Sequence, residues 1–492
     1  MSTVASNSCG ESRPNRRAFV KSAAVAGAGL ALAPHVFAQA GDGRRRYALV
    51  GTGSRSNMYQ RAIQEDYRDH AALVGLCDIN PGRLELARSK SAGYGAKAPT
   101  GYAPADFERM IRENRVQFVI VTTMDATHDE YIIRAMEAGC DVITEKPMTT
   151  TAAKVQRIQE AVERTGRKVR VCFNYRYSPS RTQVKEMLMA GEIGDLLSVD
   201  FNWLLNTHHG ADYFRRWHGE KKNSGGLMVH KATHHFDLVN WWLGANPVEV
   251  TAMGKREFYT PAMAKRLGLE SHHERCHTCP EASKCTFHMD LAANANLKSL
   301  YLDQEHHDGY FRDQCVFNPR IDIEDTMNVI VRYDNQVTLS YSLNAFNSWE
   351  GYHIAFNGTK GRIEHKIVET VYVNGDGGVQ GGVAQGGTTT RLIPLRGAAT
   401  DLTPRTGKGG HGGGDRVMLD ELFLPSAPTD PLMRASDERG GAASVLVGAA
   451  ANTCFATGQS VNLDELAPGW RKPSYAPMPG RDYPLTMPPA KA

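Results

Sequence analysis

Tyr47-Ala48-Leu49-Val50-Gly51-Thr52-Gly53-Ser54-Arg55-Ser56 is an apolar run that breaks directly into a glycine turn. Short runs rich in Val, Ile and Leu suit strands buried on both faces of a parallel sheet. Similar runs fall at 73–77, 116–122, 141–144 and 168–173, and the stretches 57–68, 83–90, 104–113, 129–138 and 151–165 between them read as helices. This alternation predicts a doubly wound α/β domain over 44–170.

Within the turn, Gly51 and Gly53 permit a tight bend and the close approach of a pyrophosphate to the helix that follows. Ser54 and Arg55 complete the loop, and the small Ser56 stands where the usual fingerprint has a third glycine. Asp78 ends the second strand about 25 residues beyond Gly53, the spacing of a carboxylate that holds the adenosine ribose hydroxyls. A carboxylate there repels a 2′-phosphate and favours NAD, while Arg55 and Arg83 keep NADP as the less favoured alternative. A G-x-G alone is as often a chance turn; the strand, the helix and Asp78 together point to a dinucleotide.

Upstream, Asn15-Arg16-Arg17-Ala18-Phe19-Val20-Lys21 and the apolar segment 23–33 have the form of a twin-arginine leader cleaved after Ala38. Its core is too short and too rich in Ala and Gly to be a permanent span. The expectation is export through the twin-arginine translocon to the periplasm as a folded, cofactor-loaded protein with no stable membrane insertion. Loss of 1–38 removes four basic residues and one acidic one, taking the formal charge from +4 to +1. That balance argues against a nucleic-acid partner, which favours a concentrated basic face. Some 450 residues exceed one ordinary core, so two domains are expected, with 171–492 as the second.

Val121-Thr122-Thr123-Met124-Asp125-Ala126-Thr127-His128, Ala138-Gly139-Cys140-Asp141-Val142, Glu145-Lys146-Pro147, Ser224-Gly225-Gly226, His234, Asp237 and Asn357-Gly358-Thr359-Lys360-Gly361 together resemble the glucose-fructose oxidoreductase, inositol dehydrogenase and rhizopine catabolism family, Gfo/Idh/MocA. The resemblance covers nearly the whole chain after the leader. It implies a Rossmann domain followed by an α/β domain, with Thr123, His128, Glu145 and Lys146 beside the cofactor and Lys146 on the hydroxyl that is oxidised. The family's second signature, a Gly-rich helix start with an Asp and then a His four residues later, reads here Gly225-Gly226 to His234, with His230 in place of the Asp. His234 is then the acid-base residue, and His230 is expected on the same helical face, one turn away, binding substrate or orienting its neighbour. A metal held by this pair is the weaker alternative. Arg176 and Tyr177 follow the strand that leaves the first domain and are expected in a sugar pocket; a hinge role is the alternative.

Alternating apolar and polar positions at 197–204, 325–333, 336–343 and 353–356 predict an open, mainly antiparallel sheet in the second domain. Relatives pair such faces, which implies a homodimer or homotetramer. An insertion at about 255–325 carries Cys276, Cys279, Cys285 and Cys315. Four thiols with a two-residue gap suit structural zinc, with His277 or His288 as substitute ligands. Disulfides suit an oxidising compartment, and an iron-sulfur cluster has the ligands although the spacing is not a familiar run. In each case the group would staple the insertion. The segment 375–414 is Gly-rich, either a surface loop or a lid bringing His411 or Asp415 to the substrate.

These features are those of an exported NAD(P)-dependent oxidoreductase acting on a secondary hydroxyl of a sugar, cyclitol or glycoside. Two other readings remain open: an NAD-dependent glycoside hydrolase working by transient C3 oxidation and elimination, and a non-catalytic sugar-binding protein.

Overall fold

The computed structural model describes residues 43–370, 382–426, 429–480 and 485. The leader at 1–38 and part of the glycine-rich segment lie outside the described residues. Strands β1 (Arg45–Val50), β2 (Ala71–Cys77), β3 (Thr100–Tyr102), β4 (Phe118–Val121), β5 (Asp141–Thr144) and β6 (Val169–Val171) form a parallel sheet in the order β6-β5-β4-β1-β2-β3. Such an order, reversing direction at β1, leaves a crevice beyond the carboxyl ends of the central strands. Successive β1 residues serve opposite faces. Tyr47 and Leu49 pack with Met418, Leu419, Leu422 and Phe423 of the helix Gly414–Phe423. Ala48 and Val50 join the core that carries Ile132, Ile158 and the second domain.

The second sheet contains β7 (Leu196–Asn206), β8 (Pro247–Lys255), β9 (Thr326–Tyr333), β10 (Thr338–Asn347), β11 (Glu350–Gly358), β12 (Gly361–Glu369), β13 (Val383–Pro394) and β14 (Thr400–Leu402). Their order is β14-β13-β12-β11-β7-β10-β9-β8, antiparallel except where β10 meets β7. Val199, Phe201 and Trp203 of β7 point into the core, and Asp200 and Asn202 point out. The covering layer includes the helices Thr233–Leu243, buried along its whole length, and Glu438–Thr457.

The chain after 171 is not confined to this second sheet. Besides Gly414–Phe423, the two-residue β15 (Ser436–Asp437) adds antiparallel to the β6 edge of the first sheet, and β16 (Val461–Asn462) adds to β8. The insertion between β8 and β9 has a small core of Leu291, Leu297, Leu300 and Tyr301. It touches the first domain through Gln304, whose carbonyl accepts from Asn80 Nδ2 at 2.9 Å, and through an ion pair between Asp308 and Arg83. Among the described residues no helix is long and apolar enough to cross a membrane.

The expected zinc site is not found among the described residues. Tetrahedral zinc needs thiolate sulfurs about 3.8 Å apart, as Zn–S bonds of about 2.3 Å dictate. Among the described residues no three His, Cys, Asp or Glu side chains close around one ion in this way, and Cys276, Cys279, Cys285 and Cys315 are free thiols.

Candidate active site

The β1 turn has the geometry a dinucleotide needs. Gly51 has φ +88°, and a Cβ there would lie 2.7 Å from the Thr122 carbonyl, so the bend against β4 admits only glycine. A Cβ on Gly53 would meet nothing within 4 Å; this is the open side on which a pyrophosphate fits. Asp78 accepts from the Thr52 backbone N–H at 2.5 Å, from its hydroxyl at 2.9 Å and from the Asn80 N–H at 2.7 Å. It thereby ties the end of β2 to the turn.

Some residues expected on the cofactor serve the frame around it. Arg55 Nε donates to Glu145 Oε1 at 2.6 Å, where Tyr59 Oη also donates at 2.7 Å. Burial works against the Glu145 carboxylate, yet Arg55 and Lys146 hold it below its usual range. His128 lies between two backbone oxygens, with Nδ1 2.8 Å from Pro147 O and Nε2 3.1 Å from Thr123 O. Its ring therefore locks the loop after β4 to the Glu145-Lys146-Pro147 turn after β5. Arg83 pairs with Asp308, so its charge is already engaged.

Lys146 is the centre of the site. Burial pushes its ammonium down to about 8, against the pull of Asp125 and Glu145. Nζ donates to His230 O at 3.4 Å. His230 Nδ1 in turn lies 2.5 Å from Asp125 Oδ2. Burial, with Lys146 the foremost of several cations, holds the imidazole neutral, and burial pushes the Asp125 carboxyl up. Trp217, His218 and Tyr213 enclose the His230 ring, with centroids 5.9, 4.2 and 5.3 Å away.

His230 and His234 do not share one helix. Leu227–His230 ends, the Ala232 N–H reaches back to Leu227 O at 2.8 Å, and a new helix starts at Thr233. The wide turn points the two imidazoles to different neighbours. His234 stacks on Tyr175 at 4.4 Å and leaves its buried Nδ1 without a partner. Burial and Lys146 keep this ring neutral too. Buried polar nitrogens are nearly always satisfied, and Lys146 is the charge that acts most on this ring.

The glycine-rich segment supplies a group that the sequence only allowed for. His411, buried at φ +53°, lies 5.6 Å from the Tyr175 ring and 6.0 Å from that of His234. Its Nδ1 is 3.0 Å from Asp415, which also accepts from Asn174 Nδ2 at 2.7 Å. Burial opposes the Asp415 charge, but His411, Arg55 and Asn174 hold the carboxyl low. Gly414 allows this approach, since a Cβ there would strike Asn174 O at 2.3 Å.

Arg176 and Tyr177, expected on substrate, are engaged elsewhere. The Arg176 guanidinium grips Asp237 with bonds of 2.8 and 2.5 Å, both side chains being fully buried. Tyr177 Oη donates to Glu421 Oε2 at 2.6 Å. A guanidinium facing a buried carboxylate is held by the desolvated charge, which keeps it from the cleft. On the far side of the His230 group, Lys231 lies over the Trp203 ring at 4.6 Å and 3.9 Å from Glu350, which His209 Nδ1 meets at 2.6 Å. Neither Lys231 nor Glu350 stood out in the sequence, where each is one charge among many.

Comparison with known proteins agrees with this architecture. Residues 45–173 match the NAD-binding Rossmann fold of an oxidoreductase family, and 185–463 match that family's C-terminal alpha/beta domain. YteT of Bacillus subtilis (strain 168), named as an oxidoreductase, is 38% identical over 437 residues, covering 86% of this chain and 98% of its own. An inositol 2-dehydrogenase of Rhizobium meliloti is 27% identical over 207 residues, 42% of this chain and 57% of that protein. The WlbA dehydrogenase of Bordetella pertussis, solved with NADH and UDP-GlcNAcA, shares the fold with TM-score 0.57 at 20% identity, over 85% of this chain and 98% of that one.

Proposed function

The chain belongs to the Gfo/Idh/MocA oxidoreductase family, and we propose that it oxidises a secondary hydroxyl of a sugar, cyclitol or glycoside. One observation carries this reading: a buried amine with its ammonium near 8, flanked by the Asp125–His230 pair and by the orphan His234 Nδ1. Bound NAD supplies the hydride acceptor. Lys146 Nζ binds the hydroxyl oxygen and stabilises the negative charge that grows on it. His234, kept unprotonated by burial, accepts the hydroxyl proton at Nδ1. Asp125 fixes the His230 ring, and His230 carries that orientation to Lys146 through its backbone carbonyl. His411 and Asp415 extend the polar wall on which further hydroxyls bind.

Several finer points belong to the same proposal. NAD is preferred to NADP because Asp78 and Asp308 face the place of a 2′-phosphate and Arg83 is already paired. The leader carries the folded, NAD-loaded protein through the twin-arginine translocon to the periplasm. Two or four chains associate through the open face of the second sheet, where Met253 and Ile330 are exposed.

The test incubates the purified enzyme with free sugars, cyclitols and aryl glycosides, with and without an electron acceptor. Bound NADH and aglycone release are followed together. We expect NAD(H) to be released on denaturation, and one reduction per site that stops without acceptor. Sustained aglycone release without acceptor would replace the oxidoreductase by a redox-neutral glycoside hydrolase; no turnover of any kind would leave a sugar-binding protein.

A further inference from the structure

The insertion between β8 and β9 reaches the nucleotide-binding domain at the turn that follows β2, through a tip made of Gln304 and the short helix Glu305–Asp308. Asp78, which closes β2, accepts from the Asn80 N–H at 2.7 Å. Asn80 Oδ1 caps the helix Pro81–Lys90 by accepting from the Arg83 N–H at 2.9 Å, and its Nδ2 donates to Gln304 O at 2.9 Å. Arg83 lies 3.9 Å from Asp78 and pairs with Asp308. A Cβ on Gly82 would strike Gln304 Oε1 at 1.7 Å and meet His307 Cδ2 at 3.0 Å, so the tip sits on the first turn of that helix with no room between them.

The tip is also held from behind. Arg275 donates to Glu305 from both terminal nitrogens, at 3.1 and 2.9 Å, and to Asp313 at 2.9 Å. The preceding helix Ala295–Leu300 packs Leu297 and Leu300 with Leu291 and Tyr301. The root is Arg312, fully buried, which pairs with Asp212 at 2.6 Å on the helix Thr207–Arg215 of the second domain. The side chains of Arg83 and Asp308 are only 10% and 11% exposed, and desolvated pairs of this kind act mainly on the rate of separation.

We propose that residues 304–308 are a clasp that retains the dinucleotide. A carboxylate at the end of the second strand holds the adenosine ribose, so the contacts of the tip all fall on the loop against which that end of the cofactor rests. Arg83 Nη1, buried and without a partner, is the donor left for the ribose hydroxyls. Because root and tip belong to different domains, release of the cofactor follows the breaking of the Asn80–Gln304 and Arg83–Asp308 contacts. Such a clasp acts on the NAD site alone, whichever hydroxyl is oxidised.

The full chain is loaded with NADH and diluted into pyruvate and lactate dehydrogenase, which oxidise only NADH that has left its site, so the fall in absorbance gives the release rate. Asp308→Ala removes the ion pair, and Gly82→Leu displaces the tip while leaving Asp78 in place. We expect each to release NADH about tenfold faster or more. Lys298→Ala, which breaks only the exposed pair with Asp303 inside the insertion, should match the wild type. Hydrogen exchange in the wild type gives a reading that needs no variant to fold: stripping the nucleotide should loosen 304–308 together with 78–83. Unchanged release in both variants, or exchange at 304–308 indifferent to the nucleotide, would overturn the proposal.

Discussion

His230 Nδ1 and Asp125 Oδ2 meet at 2.5 Å, although 105 residues separate them in the chain. His230 stands where the family resemblance implies a carboxylate, and the loop after β4 brings Asp125 to its imidazole. Asp125→Asn keeps the shape and removes the ionisable carboxyl. We expect hydride transfer to slow at least tenfold with NAD(H) still bound, and the Asp125→Asn, His230→Ala double variant to be no slower than His230→Ala alone. Additive losses in single-turnover measurements would show that the two act separately.

Lys146→Ala and His234→Ala should each reduce the rate of bound-cofactor reduction on the order of a hundredfold or more. In the wild type this rate should fall as pH rises through about 8, because the Lys146 ammonium that steadies the alkoxide is lost there. In Lys146→Arg that alkaline limb should vanish, since a guanidinium keeps its proton. An unchanged limb would assign it to another group.

Arg176→Ala should act on stability. It leaves the Asp237 carboxyl buried without its partner, at a cost of about 3–5 kcal/mol in denaturant unfolding. Asp237→Asn in the same chain should recover part of the loss. A normal stability with a raised KM would return Arg176 to the substrate.

Lys185 gives a second titration. Burial, with Arg176 adding to it, brings its amine down to about 7, and Nζ donates to Trp241 O at 2.7 Å. Between that value and the unfolded value near 10.4 the unfolded chain binds a proton that the folded chain does not, so stability rises with pH across this window. Lys185→Met should reduce that slope by about 1.4 kcal/mol per pH unit. Equal slopes in urea titrations of the two proteins would refute it.

The parallel sheet was legible because its strands are continuous apolar runs; 141–144 falls where β5 is. Position 78 at the end of β2 and the alternation in β7, β9 and β10 could be read for the same reason. The break after His230 could not, since a helical spacing reports a shared face only if the helix continues, and the wide turn to Ala232 is decided by packing. Arg176 reads as an exposed, functional charge until Asp237 appears opposite it. Asp125 lay in plain view within the family stretch, but its role depends on a histidine from a distant segment. His411 stands out among its glycines, but its burial against Tyr175 is set by the fold.

The pairing of β15 with β6 has a consequence for how the molecule is made. Ser436 and Asp437 close one edge of the sheet that begins at Arg45, and Phe423 fills the core beneath β1. The nucleotide-binding half is thus completed by a segment that follows the second sheet in the chain. Until then β6 shows an unpaired edge, the kind that recruits other strands. A clone ending at the conventional domain boundary would yield a sticky fragment, and a nascent chain would need shelter until this later segment arrived as a clasp.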